Sequence, residues 1–384
     1  MNAERTMYRT QEVPENLLKK SGLHKTQYLV FLFTTHYIYG TITAHAKDGE
    51  RCFFWRCGGP YSIKDRTIAS GAVDSGSIPL GDVWKGEQMP IFAAVIMILI
   101  ALFLLESEME KLRLTTCEYH LTTTKPVRLT VVFLSDLHDY LPARHDVKKI
   151  TDAVDAAHPD VIFLGGDMIT VSKYRKNPVP ETKAALELIR LLAEKYPVCY
   201  AEGNHEARFA QKDPEGYRAY VEEVKKLGAR YLVQEGTEAA PHAEVYGITL
   251  PEECFQSLLF KQKETVHLPE GFLENVLREE GKGEETYRIG LIHSPRYLND
   301  AAKAGFDLVL SGHFHGGTVR LPDGSGLMTP QYQFFVKECS GTFTKENTTM
   351  IVNRGLGTHS IKIRFNDIPE VSVIKIEGTH HLQA

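Results

Sequence analysis

From Val127 onward, short apolar runs alternate with amphipathic stretches, and each run ends on a polar or glycine-rich tip. Residues 129–134 (LTVVFL) read as a buried strand stopping at Ser135-Asp136. Residues 146–157 read as a helix, because Val147, Ile150, Val154 and Ala157 recur at spacings of three and four. The pattern repeats: a strand over 161–164 meets Gly165-Gly166-Asp167, and a helix over 182–192 follows with Ala185, Leu188 and Leu192 on one face. A strand over 197–201 then delivers Glu202-Gly203-Asn204-His205, and a helix over 216–227 closes at Gly228. Shorter strands are expected over 231–233 and 245–249, and a helix over 271–278. A strand over 287–292 meets His293, a helix covers 295–304, and a strand over 308–310 meets Ser311-Gly312-His313. The remainder, 318–377, has β patterning in TMIVNRG, IKIRF and VSVIKI. Alternating elements that each feed a polar tip predict an α/β fold, a layered β-sandwich flanked by helices, with its chemistry at strand ends.

Upstream the pattern is different. Residues 89–105 (MPIFAAVIMILIALFLL) carry no charge, and Glu106, Glu108 and Glu110 end the run sharply. As a helix this run reaches about 25 Å, near the short end for a bilayer span. A helix apolar on every face needs cover all round, from lipid or from protein. A transmembrane helix is the expectation, and a buried or interface helix the alternative. Residues 28–39 (YLVFLFTTHYIY) are shorter and broken by Thr34, Thr35 and His36, which leaves open a second span, a re-entrant segment or a strand pair. Residues 40–88, rich in Gly, Asp and Ser, read as irregular loop or a small insert. The N-terminus lacks the order of a signal peptide. The expected plan is therefore an N-terminal region over 1–88 with a membrane-associated segment at 28–39, a span at 89–105, a linker at 106–126 and a domain over 127–384. That plan places the protein in the cell membrane as a single-pass chain. Lys64, Arg66 and Lys85 before the span balance Lys111, Arg113, Lys125 and Arg128 after it, so the positive-inside rule does not choose an orientation.

Composition narrows the partners. The formal net charge of −5 and the lack of a dense Lys/Arg track give no pull toward nucleic acid. No protein partner is indicated. Six scattered cysteines, Cys52, Cys57, Cys117, Cys199, Cys254 and Cys339, are too few and too irregular for a disulfide scaffold.

The polar tips carry the chemistry. Asp136 and His138 lie in SDLHD, Asp167 in GGDM, Asn204 and His205 in GNHE, His293 in LIHS, and His313 and His315 in SGHFHGG. Singly, most have ordinary readings. Asp167 could cap a helix, His293 could be a hydrogen-bonded core histidine, and Glu206 could orient His205 or hold structure. Two histidines flanking Phe314 are costly in a core unless they are bound. Together, carboxylate, amide and imidazole donors at five strand ends suit two borderline divalent ions, with manganese, zinc and iron all compatible. Such a pair activates a water for in-line attack on phosphorus. His24, His36, His45, His120 and His158 lack this context.

SDLHD, FLGGDM, EGNHE, LIHSP and SGHFHGG, in this order between Ser135 and Gly317, resemble the five blocks of the calcineurin-like metallophosphoesterase superfamily. The closing NRGLGTHSIKIRFNDIPEVSVIKI resembles its membrane-associated bacterial phosphodiesterase branch, which includes enzymes that cleave a UDP-diacylglucosamine pyrophosphate. The likeness spans 125–378. It implies that Asp136, His138 and His315 hold one metal ion, that Asp167 bridges, and that Asn204, His293 and His313 hold the second. It implies that His205 contacts the phosphate. The implied activity is a metal-dependent phosphodiesterase on a lipid-linked or nucleotide-linked ester or pyrophosphate. A phosphomonoesterase on soluble esters and a metal-binding scaffold with little catalysis are the alternatives. Thr170 stands where the family often has an acidic residue, which leaves the orientation of His205 open. Glu206 replaces the commoner Asp after GNH.

Overall fold

A computed structural model describes residues 42–47, 50–55, 88–138, 144–173, 179–256, 266–278, 285–358 and 361–378. The segment 28–39 lies outside them. Two compact units divide the chain, Met1–Ala93 and Ala94–Ala384. In the first, strands β1 (Ile42–Lys47) and β2 (Glu50–Trp55) pair antiparallel, where the sequence reads as irregular loop.

The second unit is built on two six-stranded mixed sheets. One runs in the order β3 (Thr115–Thr123), β16 (Glu370–Gly378), β4 (Arg128–Leu134), β5 (Val161–Leu164), β6 (Val198–Ala201), β7 (Arg230–Leu232). From β4 to β7 it is parallel, and β16 enters antiparallel to β4. The other runs β14 (Gly341–Lys345), β15 (Thr348–Val352), β11 (Leu308–Ser311), β10 (Tyr287–Ile292), β9 (Ala243–Ile248), β8 (Glu235–Ala240), with β15, β11, β10 and β9 parallel.

Side chains two apart on a strand share a face, and this assigns the layers. Leu129, Val131 and Phe133 of β4 meet Val245, Ile289, Leu291, Leu310 and Ile351 of the opposite sheet, forming the core between the sheets. Val132 and Leu134 point outward, onto Val147, Ile150, Val154, Leu188 and Ile189 of the helices Arg144–Ala157 and Lys183–Ala193. On the far side Ile292, Val309, Met350 and Val352 pack with Leu273 and Ala301 of the helices Phe272–Arg278 and Leu298–Ala304. The result is helix, sheet, sheet, helix. The central parallel strands are buried on both faces, which explains why they read as continuous apolar runs.

Three expectations change. The apolar helix runs on to Lys111, and β3 is a full edge strand paired along its whole length with β16, so 106–126 is structured rather than a linker. Its alternation of half-buried and exposed residues hides it from an apolar-run search. IKIRF forms no ladder beyond a single bridge from Phe365 to Val319. Within it the Phe365 N–H goes to the Thr318 carbonyl and the Arg364 N–H to Ser107 Oγ at the helix end, and just beyond it Glu110 accepts from Asn366 and Asp367. A helix, Asn204–Lys212, also begins at the GNHE tip, where only a strand end is apparent from the sequence.

Among the described residues, one helix, Pro90–Lys111, is long and apolar enough to cross a membrane. From Pro90 to Leu102 its side chains are exposed, with Ile91 and Met97 each 64% open, whereas Ser107, Glu110 and Lys111 in its last turns are buried.

Candidate metal centre

Five parallel strands end on one rim. β4 delivers Asp136 and His138, β5 delivers Asp167, β6 delivers Asn204 and His205, β10 delivers His293, and β11 delivers His313 and His315. All eight side chains are buried. Asp136, His138, Asp167, His313 and His315 all adopt left-handed φ values between 46° and 65°. This conformation is costly for residues with a Cβ and clusters at functional sites. Here it turns the chain sharply off each strand, so that Asp136 with His138, and His313 with His315, converge although each pair is only two residues apart. Gly166, at φ 90°, is required for the same reason: a Cβ there would lie 2.2 Å from the Gly203 nitrogen.

The ligand atoms form three overlapping groups: Asp136, His138 and His315; His138, Asp167 and His205; Asp167, His293 and His313. The His138 and His315 Nε2 atoms lie 2.9 Å apart, and His315 Nε2 is 3.3 Å from Asp136 Oδ1. His293 Nε2 is 3.1 Å from Asp167 Oδ2 and 3.7 Å from Asp136 Oδ1. Asn204 adjoins His205, whose backbone N–H donates to Asp167 Oδ1 at 2.8 Å. The Asn204 Oδ1 is buried without a hydrogen-bond partner. An orphaned amide oxygen beside a carboxylate is expensive unless a cation takes it. The donor set therefore fits divalent ions.

Hydrogen bonds behind the ligands fix which ring nitrogen faces inward. His293 Nδ1 donates to the Gly165 carbonyl at 2.7 Å, and His315 Nδ1 faces the Gly357 carbonyl at 3.3 Å, so each Nε2 lone pair points into the site. His205 is reversed. Its Nδ1 accepts from the Val171 backbone N–H at 2.7 Å, so the neutral ring carries its proton on Nε2. That backbone donor orients His205 without an acidic residue at Thr170, whose hydroxyl instead donates to the His138 carbonyl.

The electrostatics call for positive charge. Burial pushes Asp136 up to about 6, while His293 pulls the other way. Burial opposes ionisation of Asp167 too, but His293 and His205 outweigh it and hold the carboxyl well below its ordinary value. Burial likewise opposes protonation of His293, yet Asp167 and Asp136 raise it to about 10.

Of the two readings the sequence left for Glu206, orienting His205 or holding structure, the hydrogen bonds select the second. Glu206 accepts from the backbone N–H groups of Asp167, Met168 and Gly203, each at 2.9 Å, and from the Tyr200 hydroxyl at 2.7 Å. It holds the turn that carries Asp167 and makes no contact that would orient His205. Its place three residues after the Gly203 N-cap matches capping-box spacing, a signal available in the sequence. Asp167 does accept a hydrogen bond from the first turn of a helix, alongside its place among the ligand groups. Phe255 packs edge-on against His313, with ring centroids 4.9 Å apart, and nothing in the sequence marks it.

Residues 129–317 match the calcineurin-like phosphoesterase family. The metallophosphoesterase YkuE of Bacillus subtilis, itself uncharacterised, is 26% identical over 253 residues, covering 65% of this chain and 79% of that protein. YkoQ of the same organism, another uncharacterised metallophosphoesterase, is 22% identical over 251 residues, covering 65% and 84%. An uncharacterised metallophosphoesterase of Helicobacter pylori is 25% identical over 251 residues, covering 65% and 60%. With a two-sheet core, five strand ends converging on buried carboxylates and imidazoles, and this match across them, residues 129–317 belong to the calcineurin-like metallophosphoesterase superfamily and carry the site of a metal-dependent phosphoesterase.

Proposed function

We propose that the chain is a membrane-anchored phosphodiesterase with a dinuclear metal centre, acting on a lipid-linked or nucleotide-linked phosphodiester or pyrophosphate. In this reading 1–88 is an N-terminal region, 89–105 the span and 127–384 the catalytic domain. Asp136, His138 and His315 hold one ion, Asn204, His293 and His313 the other, and Asp167 lies between them. The observation that carries the reading is the sharing of Asp167 and His138 among three buried ligand groups. Two divalent ions in such a site supply Lewis acidity toward the phosphoryl oxygens and an activated water. The chain's own residues do the rest. His205, with its Nε2 proton set by Val171, donates to a phosphoryl oxygen or to the departing oxygen. Glu206 keeps the Asp167 turn rigid.

A lipid-linked ester is favoured by what lies beside His315. A small open cleft beside that ring is lined on one part by Met328, Pro330, Tyr332, Ile361 and Ile363, and on the other by Thr318, Thr329, Thr358 and Arg364. Phe334 and Phe335 nearby in the chain are 53% and 65% exposed. The apolar part and these exposed rings suit a hydrocarbon chain, and the polar part its headgroup.

The full chain in detergent, loaded with manganese, is expected to hydrolyse bis(p-nitrophenyl) phosphate, and Asp167→Asn to abolish that turnover without altering the circular dichroism spectrum. Unchanged turnover in Asp167→Asn would refute the metal reading. Incubation with total lipid extract, followed by mass spectrometry of phosphate-containing products, tests the lipid step. Turnover of the aryl ester with no lipid consumed would favour soluble esters.

A further inference from the structure

We propose that Arg364 is a positioning residue for the Asp136 and His315 side of the metal centre, and that the end of the apolar helix holds it in register. Arg364 is 1% exposed, although neither ion group includes it. Its Nη2 donates to the carbonyls of Arg354 at 2.9 Å, Gly355 at 3.0 Å and Gly357 at 2.6 Å. Its Nη1 donates to the Asp367 carbonyl at 3.1 Å and carboxylate at 3.2 Å. Only a guanidinium offers donors in so wide a planar fork. Three carbonyls drawn onto one cation fold residues 354–357 into a tight curl.

That curl is the back wall of half the site. Leu356 N–H donates to the Ser135 carbonyl at 3.0 Å, and Gly357 N–H to the Asp136 carbonyl at 2.7 Å. The Gly357 carbonyl, which Arg364 grips, also faces His315 Nδ1. The approach is close enough that a Cβ on Gly357 would lie 2.1 Å from the Leu137 carbonyl oxygen. Arg364 thus acts on two ligands through one loop: it holds the acceptor that aims His315, and it pins the turn that presents Asp136.

The helix end holds Arg364 in turn. Ser107 Oγ accepts from the Arg364 N–H at 3.0 Å. The Glu110 carboxylate accepts from Asn366 N–H at 2.9 Å and Asp367 N–H at 2.7 Å. Lys111 Nζ donates to the Lys362 carbonyl at 3.1 Å, and Phe103 packs on Phe365 with ring centroids 4.8 Å apart. Four residues of the last helical turns, Phe103, Ser107, Glu110 and Lys111, therefore set the path of the segment carrying Arg364. The other ion group takes its outer support elsewhere, His293 from Gly165 and the Asp167 turn from Glu206, so the effect is one-sided.

The inference rests on the dinuclear reading and is tested by metal binding. Full-length wild type, Arg364→Ala and Glu110→Gln are stripped with chelator in detergent and titrated with Mn²⁺, following affinity by calorimetry and ion–ion coupling by electron paramagnetic resonance. Wild type is expected to bind two coupled ions. Arg364→Ala should keep one ion at wild-type affinity and bind the other about 10- to 100-fold more weakly, the usual cost of losing an outer-shell partner. At limiting Mn²⁺ its spectrum becomes that of an isolated ion. Glu110→Gln retains shape but turns an amide N–H toward a backbone donor, and it should weaken the same ion by a smaller factor. Two ions at wild-type affinity in both variants, or equal weakening of both ions, would overturn the proposal. If Arg364→Ala does not fold, Glu110→Gln decides by the same criteria. Wild type that binds no ion would overturn the underlying metal reading itself, a result distinct from unaltered variants of a two-ion wild type.

Discussion

Replacing Glu206 by Gln tests whether the site is held by its supporting hydrogen bonds. One carboxylate oxygen accepts from Asp167 N–H and Gly203 N–H, and the other from Met168 N–H and the Tyr200 hydroxyl. Glutamine keeps the shape but has one oxygen and one NH₂; with the NH₂ on the Tyr200 side the hydroxyl can turn and accept, yet the Met168 N–H still faces a donor. The site is fully buried, and water cannot substitute. At roughly 1–3 kcal/mol for a buried donor left unpaired, the change costs about 1–3 kcal/mol. For a domain of this size that corresponds to a fall in Tm of about 2–12 °C. The assay is thermal unfolding of the full chain by circular dichroism, in chelator so that metal binding does not enter. It is run at pH 8, above the value of about 7 to which burial and the neighbouring Asp167 push this carboxyl. Glu223→Gln, which removes only an exposed pair with Lys226, serves as the control and should shift by under about 1 kcal/mol. If Glu206→Gln melts within about 2 °C of wild type, the Asp167 turn does not depend on these bonds and the account of the site's rigidity fails.

Three further outcomes are expected. His205→Ala should lower kcat on an aryl phosphodiester by about 10²- to 10⁴-fold while elemental analysis still finds two ions; loss of the ions would make His205 a ligand instead. Chelation should lower the Tm, and restoring manganese to about 100 times its Kd should recover about 2.7 kcal/mol, seen by scanning calorimetry; a Tm indifferent to metal would contradict the donor geometry. Asp155 is held below the ordinary carboxylate range by its hydrogen bond to Lys195, and further by Tyr196. Its contribution is therefore complete above the unfolded-state value near 3.9 and lost as pH falls through the lower folded value. Because both side chains are more than a third exposed, Asp155→Asn should cost under about 1 kcal/mol at neutral pH and progressively less as pH falls below that unfolded-state value, read from urea unfolding across that range.

Much of this site can be read along the chain. Where a buried parallel strand ends, the backbone must leave the sheet, and a polar residue there is forced to the rim. SDLHD, GGDM, GNHE, LIHS and SGHFHGG are five such exits, so the eight site residues are visible as residue types at strand ends. The elements that escaped detection are those with weak apolar signal. β3 is an edge strand of alternating half-buried and exposed residues, and β8 has no buried position, with Glu235 and Glu238 exposed. IKIRF shows the opposite failure: its alternation is strand-like, but it makes a single bridge, from Phe365 to Val319, and its Arg364 N–H goes to Ser107 at the helix end.

By itself, then, the sequence determined the alternation of buried strands and amphipathic helices, the apolar helix before them, and the identity of the ligand-bearing tips, because burial periodicity and strand termination are local properties. Tertiary structure decided how these tips meet. Only the pairing of β4, β5 and β6 in one sheet and β10 and β11 in the other brings Asp136, Asp167 and His293 within a few ångströms. Only packed neighbours sustain left-handed turns at five ligand-set residues. The Val171 N–H that sets the His205 tautomer, the carboxylate of Glu206 under the Asp167 turn and the Ser107 hydroxyl that holds the Arg364 backbone are contacts across 34, 39 and 257 residues. No local pattern specifies such contacts, since a hydrogen-bond partner distant in sequence is chosen by the geometry of the whole fold.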